Sequence, residues 1–447
     1  MKRIALIVLA ALLVFGVSCS KKESSPGSSS GGSQKKVTIV VGGWPSADVG
    51  FKAALPGFYA AYPNIEVEIE MAETTAYQQA LTTALAAGQG APDVAMINGD
   101  WIGNYRDSPS FVNLLEPPYN AEQYRKDFAA YKWDQGYSAD KKRFIGFSWD
   151  LGPATYFYRQ DIFAECGLPT EPEAVAKYMS TWSGVLDAAR KVNIPGRRWL
   201  LHEATSLYTS LFALLDWYNE DLSLRLDRDG DIDCLNAVIE MRKNRLDMNV
   251  NVWAPEGVAA VDNGAVASIS LGAWFGGFLK ADFDPDGAGN WRITTLPGSV
   301  ASSNIGGSYM AIPTQSKHHA EAWSFMHHMM ATTKGQNDIF LGVDYFPSYK
   351  PAWNDPIYDE PDPYFGGQKT RALWKKIAGE LNRGFFTTIL DVTTAGIVPN
   401  TVSTSIEQGL NAQQIKAQLR RDIETGTAEL RRQQIQIYRD AGVWKYD

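Results

Sequence analysis

The chain has 447 residues, of which 45% are hydrophobic and 21% charged, with a formal net charge of -8. That length exceeds what one hydrophobic core normally supports, so two lobes are expected. The acidic balance argues against nucleic acid or an anionic membrane surface as a partner, because both require clustered Lys and Arg.

At the N-terminus, Met1-Lys2-Arg3 places positive charge ahead of an apolar run over residues 4–17. The run is short for a membrane span, and residues 1–18 read as a secretory signal. It ends at Gly16-Val17-Ser18-Cys19. Small residues directly before a cysteine resemble the lipobox of bacterial lipoproteins, with Gly16 standing where leucine is usual, and Cys19 is the expected lipidation site. Residues 19–36 are almost wholly Ser, Gly and Lys and bury too little apolar surface to fold, so they form a tether. The string Gly27-Ser28-Ser29-Ser30-Gly31 matches G-x-S-x-G, but a nucleophile elbow needs a strand before it and a helix after it, and a tether has neither. Cys166 and Cys234 lack metal-ligand spacing and are read as a disulfide or, preferably, as two buried thiols.

From Val37 the pattern alternates in type. Residues 37–41 read as a strand, 51–62 as a helix, 65–70 as a strand of alternating apolar and acidic residues, 77–87 as a helix and 93–97 as a short apolar strand. This βαβαβ order implies parallel strands with right-handed crossovers. Residues 144–158 are dense in aromatics, and Gly152-Pro153 interrupt what is otherwise strand, so the segment reads as a crossover. Helices are expected over 178–190 and 205–218, a polar turn over 227–233, strands over 266–271 and 308–312, and an amphipathic helical tail over 403–438.

In an open α/β sheet, ligands sit at the carboxyl ends of the strands. The loops that begin there carry Trp44, Glu73, and Asn98 with Asp100 and Trp101, while Trp274 and Phe275 lie between glycines after the 266–271 strand. Aromatic faces and hydrogen-bonding side chains at strand ends suit a polyol, which offers apolar C–H faces and fixed hydroxyls. Trp44, Trp101, Trp149, Trp274 and Tyr309 are the candidate platforms, each weighed against simple core packing. Asp100 and Asp150 are the candidate acceptors, since a carboxylate takes two neighbouring hydroxyls; Glu73 and Asn98 are second choices that could equally cap helices, and Asp150 could equally serve a hinge. No metal site is expected. His318-His319 and His327-His328 do not share the i, i+4 spacing that puts two imidazoles on one ion, and read as a solvated helix face. Asp227, Asp229, Asp231 and Asp233 resemble a calcium loop, but a loop from Asp227 ends on Val238 and one from Asp229 has Cys234 where glycine is needed, so they read as a polar turn.

With these residues in place, the sequence resembles the bacterial extracellular solute-binding proteins of family 1, which include maltose- and oligosaccharide-binding proteins. The resemblance rests on Gly43-Trp44, Phe58 with Tyr62-Pro63, Ala91-Pro92-Asp93-Val94, Tyr158 to Phe163 followed by Gly167-Leu168-Pro169, Gly272-Ala273-Trp274, Leu296-Pro297-Gly298, Gly306-Gly307-Ser308-Tyr309, and Ala320 to Phe325. It implies a two-lobe, type II periplasmic-binding-protein-like α/β fold with a ligand cleft between lobes joined by crossing hinge segments. By position the first lobe is 37–150 plus 309–345, ending at Tyr345, a further lining candidate, and the second is 151–308 plus 346–447. It also implies no cofactor and no catalysis. The expected partners are a sugar or short oligosaccharide, ABC permease subunits with a cytoplasmic ATPase behind them, and a membrane reached through the lipid anchor, facing the periplasm or exterior; the protein is expected to be a monomer. A non-sugar solute such as a polyamine, iron or a phosphate ester is the alternative. A secreted glycoside hydrolase is a more distant one, since no residue pair stands out as its two carboxylates. Residues 354–371, rich in Pro and Asp, match no family motif and read as an extended loop near the cleft.

Overall fold

The first sheet forms around strand Val94–Asn98, in which Val94, Ala95, Met96 and Ile97 are all buried, as a strand covered on both faces must be. In this computed structural model, which describes residues 35–212, 216–298, 302–381 and 386–446, five strands make that sheet. They are β1 (Val37–Gly43), β2 (Ile65–Met71), β3 (Val94–Asn98), β4 (Gly146–Ser148) and β9 (Ser308–Ala311), in the order β2-β1-β3-β9-β4. The signal sequence, Cys19 and the tether through residue 34 lie outside the described residues. β1 runs parallel to β2 and β3, as the βαβαβ pattern requires, while β9 is antiparallel to β3 and β4. The sheet is therefore mixed.

Helix α1 (Ala47–Ala61) buries Ala47, Gly50, Phe51, Ala54 and Phe58, a stripe of helical spacing, against the first core. Helix α2 (Thr74–Ala87) begins where the Glu73 carboxylate accepts the N–H groups of Thr75 and Ala76, both at 3.0 Å, and ends at Gly88 in the left-handed conformation. The edge strand β2 keeps Glu66, Glu68 and Glu70 in solvent, which discourages edge-to-edge pairing.

The second sheet contains β5 (Ala154–Arg159), β6 (Trp199–Leu201), β7 (Val266–Gly272) and β8 (Trp291–Thr294) in the order β6-β7-β5-β8. The helical stretches expected on its flank form with shifted limits, at Trp182–Val192 and Thr205–Phe212, and the tail folds as three helices, Asp391–Glu407, Ala412–Gly426 and Ala428–Asp440. Residues 354–371 cover the free edge of β8 rather than the cleft. The Gln368 side chain accepts from Ile293 N at 2.9 Å and donates to Ile293 O at 2.7 Å, mimicking a neighbouring strand.

Three chain segments pass between the sheets side by side. The first joins β4 to β5 through Trp149–Pro153, the second is 304–307 and the third 344–348. Leu151 N donates to Phe346 O at 2.7 Å, Ile305 N to Gly152 O at 2.7 Å, and Ala154 N to Ser303 O at 2.8 Å. Asn304 completes the tie. Its amide oxygen accepts from Gly152 N at 2.8 Å and from the Tyr131 hydroxyl at 3.1 Å, and its NH2 donates to Gly306 O at 2.9 Å. Gly152 is required here, because a Cβ would lie 1.8 Å from Ile305 O.

Cys234 is buried and Cys166 half-buried, and both are free thiols. The histidine pairs depart from a solvated face: His328 is buried with its ring edge-on to Phe58, and His327 packs against Tyr124 and Trp323. Asp231 is also buried, opening the helix Asp231–Lys243, so the acidic stretch is a helix start as much as a turn.

Replacing Asn304 by Ala removes its bonds to Gly152 of the first crossing segment and to Tyr131, and leaves the buried Gly152 N–H without its acceptor. We expect a loss of about 1–3 kcal/mol in urea denaturation, with the far-ultraviolet circular dichroism of the folded state unchanged.

Candidate functional site

β3 ends where its neighbour β9 begins, since Asn98 pairs with Ser308. The turn after Asn98 and the Gly306-Gly307 approach to β9 therefore meet at one place. The Asn98 side chain accepts the Asp100 N–H at 3.0 Å and fixes that turn. Gly99 is needed because a Cβ would stand 2.3 Å from Gly307 O and 2.9 Å from Lys132 Nζ. The turn projects the Asp100 carboxylate into a cavity of about 260 Å³ lined also by Asn98, Lys132, Gln135, Asp216, Trp217, Trp274, Asn304, Ile305, Phe386, Thr387 and Asp391.

Trp274 enters from the second sheet. Its Nε1–H donates to Ile305 O at 2.8 Å, and Gly272 leaves the slot for the indole, as a Cβ there would be 2.3 Å from Nε1. The far wall comes from the tail. The Asp391 carboxylate accepts from Thr388 N at 2.6 Å, while its other oxygen is buried and takes no hydrogen bond from the protein. Arg106 Nη2 donates to Thr387 O at 2.5 Å and Gln135 Nε2 to Thr387 Oγ1 at 3.1 Å, bringing this segment against the helical chain between β3 and β4.

Charge is concentrated here. Asp100 is accessible from the cleft but hemmed in by its walls; loss of bulk water raises its pKa, and Lys132 opposes the rise. Lys132 is buried, donates to Gly307 O at 3.2 Å and stands 4.7 Å from the Tyr309 ring centre. Desolvation pulls its pKa down, against the attraction of Asp150 and Asp100. Asp150 is pushed up by burial, while Lys132 and the Ser308 N–H, 2.8 Å away, hold it back. Asp391 is pushed up to about 7, chiefly by desolvation. Asp216 accepts from Phe386 N at 2.8 Å and from Arg225 at 3.2 Å, so its charge is engaged.

Of the residues singled out from the sequence, Asn98, Asp100 and Trp274 come together at the cavity. The structure places the others elsewhere. Trp44 is buried edge-on to Tyr77, and Trp149 is buried between Phe51 and Tyr345, so these strand-end aromatics, Tyr345 included, build the first core. Trp101 is half-buried against the same core. Phe275 is buried in the second half's aromatic cluster. Tyr309 is buried, its hydroxyl donating to Gln135 Oε1 at 2.6 Å and Lys132 O at 2.9 Å. Glu73 is the cap of α2, and Asp150 belongs to the crossing segments. Lys132, Gln135, Asn304, Thr387 and Asp391 were not anticipated. Asp391, an acid in the first turn of a helix after Thr387-Thr388, carries a helix-start signal that sequence alone could have flagged.

The raised pKa of Asp391 has a stability consequence. Its unfolded value lies near the ordinary carboxylate range, so between about pH 4 and 7 the folded state holds a proton that the unfolded state has lost, and stability falls as pH rises through that window. Asp391→Asn removes the penalty. The variant should be more stable than the parent at pH 8, by no more than about 4 kcal/mol, with the difference vanishing toward pH 4 in urea titrations.

Comparison with known proteins gives a consistent result. The sequence profile of the bacterial extracellular solute-binding proteins matches residues 53–361. The lactose-binding protein of Rhizobium radiobacter is 26% identical over 391 residues, 81% of this chain and 87% of the relative. The arabinooligosaccharide-binding protein of Bacillus subtilis (strain 168) is 23% identical over 301 residues, 64% of this chain and 66% of that protein. Among solved structures, the ABC transporter associated binding protein of B. animalis subsp. lactis in complex with beta-1,6-galactobiose superposes with a TM-score of 0.73 at 20% identity, covering 88% of this chain and 98% of the other, a likeness of fold. With the profile matching well over half of its length, this chain belongs to the bacterial extracellular solute-binding proteins, a family of binding proteins and not of enzymes.

Proposed function

We propose that the protein captures a sugar by reversible binding in this cavity and delivers it to the permease of an ABC importer. The observation that carries the reading is the convergence of two indoles, Trp274 and Trp217, with the carboxylates of Asp100 and Asp391 on a cavity walled by the Asn98 turn, the 304–306 segment and the tail. An indole supplies a flat apolar surface for the C–H face of a pyranose. Carboxylates with unclaimed oxygens accept pairs of hydroxyls in charge-assisted bonds, and a sugar hydroxyl would relieve the buried, unpartnered oxygen of Asp391. The names of the relatives, lactose- and arabinooligosaccharide-binding, support a carbohydrate.

In this reading, residues 37–150 with 309–345 and residues 151–308 with 346–447 act as two lobes that close on the sugar by flexing at the three crossing segments. The closed form is favoured by the ligand's extra contacts to it. The protein is exported, lipid-anchored through Cys19, and works as a monomer without chemistry on its ligand. A polyamine is the second reading, since the same carboxylates and indole would suit an ammonium; the Lys132 ammonium in the same lining opposes it.

Thermal-shift screening of the purified protein against sugars, polyols and polyamines tests this directly, because a ligand that binds only the folded state raises Tm by mass action. We expect one sugar series to raise Tm, with no consumption of sugar, and Trp274→Ala to abolish the shift. A shift with polyamines alone, or turnover of the sugar, would overturn the reading. Sugar affinity should also fall as pH drops below 7, because protonated Asp391 loses acceptor capacity, and Asp391→Asn should flatten that profile.

A further inference from the structure

Thr387 and Thr388 are held from two directions. On one side the chain around them is fastened to the second half. Asp216 accepts Phe386 N at 2.8 Å, Gln434 Oε1 accepts Ile389 N at 2.9 Å, and Ile389 and Leu390 are buried in the second core. On the other side the grip comes from the helical chain between β3 and β4. Arg106, 281 positions earlier than Thr387, donates through Nη2 to Thr387 O at 2.5 Å. Gln135 donates through Nε2 to Thr387 Oγ1 at 3.1 Å and accepts the Tyr309 hydroxyl of β9 at 2.6 Å. The short helix Ile102–Tyr105 lies directly against the Thr388 backbone, where Gly103 is required because a Cβ would stand 2.5 Å from Thr388 O.

Arg106 is only 7% exposed and is not among the residues lining the cavity. Burying a guanidinium is unfavourable unless its charge is engaged. Asp107 stands 3.7 Å from its Nε, and its charge favours the ionised form of Asp391, against the burial that raises that pKa. The path from Arg106 to Asp391 is short. Thr388 N donates to the Asp391 carboxylate at 2.6 Å, and Leu390 N to Thr388 Oγ1 at 3.1 Å. The setting of Thr388 therefore decides which carboxylate oxygen the protein claims and which is left without a hydrogen bond.

Resting on the sugar-capture reading, we propose that Arg106 is a positioning residue of the site: by holding Thr387 it sets the bond from Thr388 to Asp391, and through that bond the carboxylate offered to the sugar. It touches no ligand itself. The grip joins the two walls that Gln135 and Asp391 present to the cavity, so a sugar held between them leaves more slowly while it is made.

The test is a double-mutant cycle read by isothermal titration with lactose and with arabinobiose, using the parent, Arg106→Ala, Asp391→Ala and the variant carrying both, with Tm recorded for each. Arg106→Ala should weaken the sugar about tenfold in the parent, chiefly through faster release, and by less than about twofold in the Asp391→Ala background. Arg106→Lys should recover most of the loss, because an ammonium can donate to the same carbonyl. Equal weakening in both backgrounds, or a fall in Tm with affinity unchanged, would show that Arg106 only supports the fold, and would overturn the positioning role while sugar capture stands. Amide hydrogen exchange without sugar separates the two readings: the Thr388 N–H should exchange about tenfold faster in Arg106→Ala than in the parent. Unchanged exchange there would overturn the grip whatever sugar binds. If the parent binds no sugar and the exchange difference is present, the capture reading falls and the grip on Asp391 stands.

Discussion

The hydrogen-bonded lane of three crossing segments is the constraint on which the rest of this molecule depends. Asn304 and the backbone of Leu151, Gly152 and Ile305 tie the segments to one another, and Asp150 fastens the start of β9 through the Ser308 N–H. Two sheets with separate cores would otherwise have no defined relation at the place where their strand ends face each other. Because the lane passes directly beneath the cavity, the groups that fix the crossing also position the lining: Asn304, Ile305 and Gly306 belong to both.

Glycine makes that double use possible. At Gly99, Gly152 and Gly272 a Cβ would collide with Gly307 O, Ile305 O or the Trp274 indole. The chain can therefore bring a strand end, a crossing segment and an aromatic platform within contact distance of each other, and the close approach is what narrows the cavity. Charge is arranged on the same principle. Lys132 attracts both Asp100 and Asp150, so one buried cation moderates two carboxylates, while Asp391 on the opposite wall keeps one buried oxygen that takes no hydrogen bond from the protein.

Much of this was legible in the sequence. The period-2 alternation of β2, the apolar run of β3 and the Gly152-Pro153 interruption located the strands and the first crossing, and the rule that ligands gather at strand ends led to Asn98, Asp100 and Trp274. The same rule also pointed to Trp44 and Trp149, which the fold buries, because an indole at a strand end can turn inward against α1 as easily as outward, and only packing decides. Lys132, Gln135 and Thr387 were out of reach for a different reason, and the helix-start signal at Asp391 said nothing of a cavity. Lys132 and Gln135 lie on the short helix Ala130–Gln135 and Thr387 before a helix far along the chain, and contacts such as Arg106 with Thr387 bring them together at the cavity.

The most direct measurement is a crystal structure of the protein with the sugar selected by titration. The account places a pyranose ring against Trp274, with hydroxyls within hydrogen-bond distance of Asp100 and Asp391 and the crossing segments still tied through Asn304. A sugar bound elsewhere, or bound in this cavity without touching either carboxylate, would contradict it.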